Sequence, residues 1–245
     1  MNPCSRLALL TATAFLLASA NAPAIKHEPP REVSGHPEVV LIVAKHSQSP
    51  RTGFCSGVLL SPTTVLTVAH GVAGYDRWEV TAPYARGGAA QAAGKAIRTH
   101  PDYKAGASEH DLAVLTLDHA LEIGGKFPAL PDAKLYPIDT ALLVVGRTVK
   151  GKPSERRLFE ATSALVAIRG ENNLYGGNPQ LTEPGDSGGP VYLARQDRTL
   201  IALVEGALDA SRGNVPTDIF IPLGGKNRTW LLRQLRRKEN ASRDR

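Results

Sequence analysis

Short runs of β-branched and aliphatic residues alternate with turn-forming clusters along most of the chain. The first series is Val39–Ala44, Phe54–Leu60, Thr64–Ala69, Trp78–Ala82, Lys95–Thr99 and Leu112–Leu117. The second is Ala141–Gly146, Leu158–Ile168, Pro190–Leu193, Leu200–Val204 and Asp218–Pro222. Runs of this length and composition predict strands, because branched side chains fit a pleated surface and Gly, Pro, Asn and Ser punctuate it. Helical periodicity is convincing in one place, Lys226–Lys238, where Trp230, Leu231, Leu232 and Leu235 recur at helical spacing among arginines. Many short strands and one terminal helix predict an all-β sandwich or a pair of barrels. Leu121–Thr140 follows neither period and reads as the connection between halves at about 38–120 and 138–225, with the helix at about 226–238. Residues 25–37 are polar and proline-rich and read as an extended lead-in.

The first 24 residues have a different pattern. Arg6 precedes an apolar stretch from Leu7 to Ala18, followed by Ala18-Ser19-Ala20 and Ala22-Pro23-Ala24. The stretch is shorter than the ~20 residues a spanning helix needs, but it suits the core of a secretory signal peptide. Cleavage is expected after Ala20 or Ala24. Residues 25–245 are then one exported unit, periplasmic or secreted, with no stable membrane insertion. Of the two cysteines, Cys4 lies in the removed segment, which leaves Cys55 as a buried small hydrophobe.

Composition narrows the class. Hydrophobic residues at 42% and charged residues at 21% are ordinary globular usage, which excludes a mostly disordered chain. Two cysteines exclude a disulfide-dense scaffold. The net charge of +6 raises the question of nucleic acid, but much of the excess sits in the C-terminal RTWLLRQLRRKENASRDR. A basic terminal helix without an aromatic-interleaved groove reads as a solvated face, so no nucleic-acid partner is expected.

The chemistry concentrates at Thr182-Glu183-Pro184-Gly185-Asp186-Ser187-Gly188-Gly189-Pro190. A serine hydroxyl attacks only when a base takes its proton and donors stabilise the oxyanion. Glycines let the backbone turn tightly enough to aim its amides at one point. Gly185 to Gly189 also satisfies the G-x-S-x-G pattern, whose enzymes run Ser, acid, His in chain order. All seven histidines precede Ser187, so that order is impossible here. The first aspartate is Asp76, so no aspartate precedes His70 and the order Asp, His, Ser fails too. His, Asp, Ser remains: His70 ends the run Thr64–His70, and Asp111 opens the run His110–Leu117. His100, His110 and His119 show no ligand spacing and read as surface histidines, so no catalytic metal and no cofactor are expected.

TVLTVAHG, HDLAVLTLD and GDSGGP, in this order, resemble the three signature blocks of the trypsin/chymotrypsin-like serine protease family. FCSGVLLSP resembles the strand and turn before that family's histidine block, and the likeness extends from about Val39 to Leu232. The resemblance implies two six-stranded antiparallel β-barrels with a C-terminal helix, around a cleft that takes a protein or peptide substrate. It implies that Ser187 is the nucleophile, His70 the general base and Asp111 its orienting acid, with the amides of Gly185 and Ser187 as oxyanion hole.

The chain also departs from the pattern. Gly71 stands where most members carry a cysteine that pairs with the one upstream, and Glu183 replaces a second bridge cysteine. Asp186 is present to receive a new amino terminus, but no Ile-Val-Gly-Gly occurs; Arg31–Gly35 and Ile25 are degraded candidates. Leu181 falls at the base of the family's primary pocket and favours apolar or small side chains. Glu205 lies near the opposite pocket wall, in the cleft or facing solvent. These departures leave a second reading, a protease-like binding protein with little turnover.

Overall fold

The computed structural model describes residues 30–132, 136–149, 152–169, 173–176, 181–194, 198–208 and 217–243. The expected signal segment lies outside these residues. Six strands close the first barrel: β2 (Val39–Lys45), β3 (Thr52–Ser61), β4 (Thr64–Thr67), β5 (Arg77–Ala82), β6 (Ala90–Thr99) and β7 (Ala113–Leu117), in the order β2-β3-β4-β7-β6-β5. All six match predicted runs, although β6 starts five residues earlier than the Lys95 expected from its apolar part.

The second unit is an eight-stranded sheet of β1 (Arg31–Val33), β8 (Ala141–Gly146), β11 (Leu158–Ala164), β12 (Ala167–Arg169), β13 (Asn173–Tyr175), β14 (Pro190–Leu193), β15 (Leu200–Leu208) and β16 (Thr217–Pro222). A small hairpin, β9 (Thr148–Val149) and β10 (Lys152–Pro153), stands beside it. Two expectations change here. Part of the supposed lead-in is a strand, because β1 pairs with β11 from Arg31↔Glu160 to Val33↔Leu158. The single run Leu158–Ile168 breaks into β11 and β12, because Leu165 leaves the ladder and bonds the preceding loop at Thr140 and Asp139. Helix α1 (Gly225–Arg243) outlasts its expected end at Lys238. Among the described residues no helix is long and apolar enough to cross a membrane.

Strands β2, β4 and β7 are buried along nearly their whole length, which explains their almost unbroken apolar runs, whereas β6 is largely exposed. Alternate residues diverge: Val40, Ile42, Leu59, Val65 and Leu115 fill the barrel. Their neighbours Val39, Val58, Leu66 and Val114 pack outward against Val145, Tyr192, Leu203, Ile221, Trp230 and Leu231. This second cluster joins the two halves and the helix. Burying a side chain such as Leu231 stabilises it by about 1.5–3 kcal/mol, and Leu231 is fully buried.

Candidate active site

The antiparallel pairing of β4 and β7 sets the first half of the site. Thr67 pairs with Ala113, so the chain leaving β4 and the chain entering β7 emerge side by side. His70 lies three residues past β4, in a turn closed by the Val72 and Ala73 amides on the Ala69 carbonyl. Asp111 lies two residues before β7 and is buried. Its carboxylate holds His70 at two points: the His70 main-chain N–H donates to Oδ1 at 2.8 Å, and Nδ1 lies 2.5 Å from Oδ2. The His70 side chain is otherwise 40% exposed. Burial works to lower its pKa, but the Asp111 hydrogen bond and the charges of Asp111 and Glu205 outweigh it and hold the ring above its usual range.

The other half is the loop 183–189, in which Gly185 (φ 106°) and Gly188 (φ 84°) take conformations that side chains disfavour. A Cβ on Gly188 would fall 2.1 Å from the Ser56 carbonyl oxygen, so the loop is pressed against β3. There the Ser56 amide donates to the Ser187 carbonyl at 2.7 Å, and Ser56 Oγ donates to the Gly185 carbonyl at 3.0 Å. Arg147, fully buried, donates from Nε to Ser56 Oγ at 2.9 Å. Burial lowers its pKa to about 10, so it stays charged at neutral pH. Asp186 points inward, where its carboxylate accepts the amides of Arg147, Thr148 and Glu183. Burial raises the Asp186 carboxyl above its ordinary value despite those bonds. Among the described residues, the N–H groups of Gly185 and Ser187 have no hydrogen-bond partner.

The structure brings His70 and Asp111 into direct contact, whereas the Ser187 hydroxyl donates to the Glu205 carbonyl at 2.9 Å. The Glu205 carboxylate lies beside His70 and Asp111, with one ligand atom of each within 4.8 Å of the others. Glu205 is the bulged residue of β15, between Val204↔Phe220 and Gly206↔Ile219. Bulges re-aim side chains and are frequent beside active sites. Its carboxylate takes a hydrogen bond from Ser108 Oγ at 3.1 Å.

Leu181 occupies a half-buried position, and an acid that sequence reasoning missed sits behind it. The Asp218 carboxylate accepts the Leu181 amide at 3.1 Å, the Thr182 amide at 3.1 Å and the Thr182 hydroxyl at 2.5 Å. Asp218 is fully buried, and burial raises its pKa. In the sequence it looks like a polar residue at the mouth of a strand, and only the fold turns it toward Leu181.

His100 and His110 are not surface residues. Both are buried, with rings stacked 4.5 Å apart at an interplanar angle of 9°, and His100 also meets Trp230 of the helix. Asp102 brings a third donor within 4.8 Å. One nitrogen of each ring is engaged: His100 Nδ1 accepts the Asp102 amide, and His110 Nδ1 lies 2.7 Å from Asn227 Oδ1. The stacked pair meets α1 through Trp230 and Asn227.

Comparison with known proteins agrees with this architecture. The Trypsin family model matches residues 31–231, most of the chain. A protein named Trypsin from Saccharopolyspora erythraea is 28% identical over 181 residues, covering 66% of this chain and 78% of that one. A solved structure described as "Structure of GrC" shares the fold with a TM-score of 0.70 at 18% identity, covering 84% of this chain and 98% of that chain. The chain belongs to the trypsin family and is a serine-type peptidase.

Proposed function

We propose that this protein is an exported endopeptidase that cleaves protein or peptide substrates through an acyl-enzyme. The grip of buried Asp111 on His70 is the observation that carries this reading. With Nδ1–H donated to Asp111, the Nε2 lone pair of His70 is free to take the Ser187 proton as Oγ attacks the scissile carbonyl. For this the Ser187 hydroxyl must give up its bond to the Glu205 carbonyl. The oxyanion forms where the Gly185 and Ser187 amides have no partner among the described residues. The imidazolium gives its proton to the leaving amine. Water then repeats the sequence on the ester and returns the serine. Asp111 holds the ring in this orientation and stabilises the imidazolium.

Export rests on the apolar segment within residues 1–24, with a periplasmic or secreted destination. Leu181, in front of an Asp218 already occupied by three internal donors, supports a primary preference for uncharged side chains.

The second reading, a binding protein with little turnover, draws on the hydrogen bond that directs Ser187 away from His70. A fluorophosphonate probe separates the two, since it reacts only where nucleophile, base and oxyanion donors act together. Stoichiometric labelling of Ser187 is expected. Ser187→Ala is expected to abolish labelling and to lower kcat on casein by about 10⁴–10⁶-fold, with the fold intact. Wild-type turnover in the Ser187→Ala protein would refute the assignment.

A further inference from the structure

The catalytic histidine has a second acid beside it. The bulge in β15 places a carboxylate oxygen of Glu205, a ring nitrogen of His70 and a carboxylate oxygen of Asp111 within 4.8 Å of one another. Ser108 Oγ steadies that carboxylate at 3.1 Å, and the main chain of the same residue receives the Ser187 hydroxyl at 2.9 Å. Glu205 thus touches the nucleophile with its backbone and approaches the base with its side chain. Among the described residues no lysine or arginine forms an ion pair with it, so its charge is directed at the imidazole.

We propose that Glu205 is a positioning residue for the reaction, a second anion that stabilises the imidazolium of His70 and sets the lower pH limit of activity. This rests on the endopeptidase reading above. The electrostatics agree in direction. The titratable groups facing His70 are Asp111, entering β7, and Glu205, on β15, and the charges of both favour the protonated ring. Tyr103, in the loop after β6, has its phenol held above its usual range by burial and by the same two carboxylates. The Glu205 carboxyl is itself raised, first by burial and then by the charge of Asp111, although Ser108 and His70 pull the other way. The charge of each therefore favours the ionised form of the other. An anion near the base makes it stronger, but it also keeps the base protonated to a higher pH. Removing the anion has opposite effects on the two sides of the profile.

The test is the rate of fluorophosphonate labelling against pH in the full chain, for wild type, Glu205→Gln and Glu205→Asp. Gln keeps the shape and the Ser108 contact but loses the charge. It is expected to move the acid limb down by about 0.5–1 pH unit, and to lower the plateau by about two- to tenfold through the weaker base. Asp, which keeps the charge, restores the acid limb toward wild type. The His70 imidazole titration, followed by NMR in wild type and Glu205→Gln, reads the same coupling whether or not the protein turns over. An unshifted His70 titration overturns the proposal, and so does an unshifted acid limb accompanied only by a change in Tm. A shifted titration in a protein that no probe labels sinks the endopeptidase reading while leaving the Glu205–His70 coupling in place.

Discussion

At Gly188 a single methyl group has nowhere to go. Its φ is 84°, and an added Cβ would meet the Ser56 carbonyl at 2.1 Å and Thr67 Oγ1 at 2.4 Å, neither of which is a mobile chain end. Gly188→Ala is therefore expected to cost more than about 3 kcal/mol and to abolish labelling of Ser187, measurable as a fall in Tm and loss of probe signal. Gly71 is the instructive contrast. A Cβ there would lie 2.8 Å from Cys55 Sγ and 2.9 Å from Cys55 Cβ, so the site faces the lone thiol directly. Disulfides need a Cβ separation of about 3.5–4.5 Å, which the turn after β4 must supply by yielding slightly. Oxidised Gly71→Cys is expected to melt above its own reduced form, by less than the ~3 kcal/mol that closing a loop of this size can give. At this scale the contact of His70 with Asp111 was legible because each residue stands at the end of a strand-like run, whereas the bond of the Ser187 hydroxyl to the Glu205 carbonyl was not. Nor were Arg147, Asp218 and the role of Glu205. Their neighbours in sequence are unremarkable, and their partners Ser56, Leu181 and His70 lie far along the chain.

At the scale of elements, strand positions were legible and strand partners only partly so. A run such as Val39–Ala44 declares a buried strand by composition, but β1 was hidden because REV carries two charges and earns its place only by pairing with β11. The helix shows the same division. Its apolar spacing announced Trp230 and Leu231, but not that Trp230 would pack on the buried His100. Asn227 anchors the start of the helix to both Pro222 and His110. Trp230→Ala removes the packing on His100 and is expected to lower stability by about 3–5 kcal/mol, read as a Tm shift with loss of near-UV signal.

Across the whole molecule, a polar network ties the N-terminal segment to both halves. His36 bonds Glu38 and Glu160, while Glu38 also accepts Tyr192 Oη at 2.7 Å and pairs with Arg198 at 3.0 Å. Burial works to lower the His36 pKa, but its two glutamates outweigh that and raise it above 6.5. Burial works to raise Glu38, but the hydrogen bonds of His36 and Tyr192 and the charge of Arg198 outweigh it and hold the carboxyl below 4.5. The raised base contributes stability that is fully present below 6.5 and lost as pH rises through its folded value. The depressed acid contributes stability present above 4.5 and lost as pH falls through its own. The Tm difference between wild type and His36→Gln is therefore expected to be largest between those values and to shrink toward alkaline pH. The network was illegible in sequence because it joins residues more than a hundred positions apart. The fold class was legible because strand runs and motif blocks follow one another in a single order.

The thiol of Cys55 is sealed in the first barrel, with burial pushing its pKa up to about 12, and among the described residues it is the free cysteine. Residues 30–243 contain this one cysteine, so their folding has no thiol-exchange step to wait for. Tm and labelling rate are expected to be the same with and without dithiothreitol, and a thiol reagent is expected to react only after denaturation. Surroundings that cleave cystines, and so loosen a peptidase stapled by them, leave the loops of this one where packing holds them.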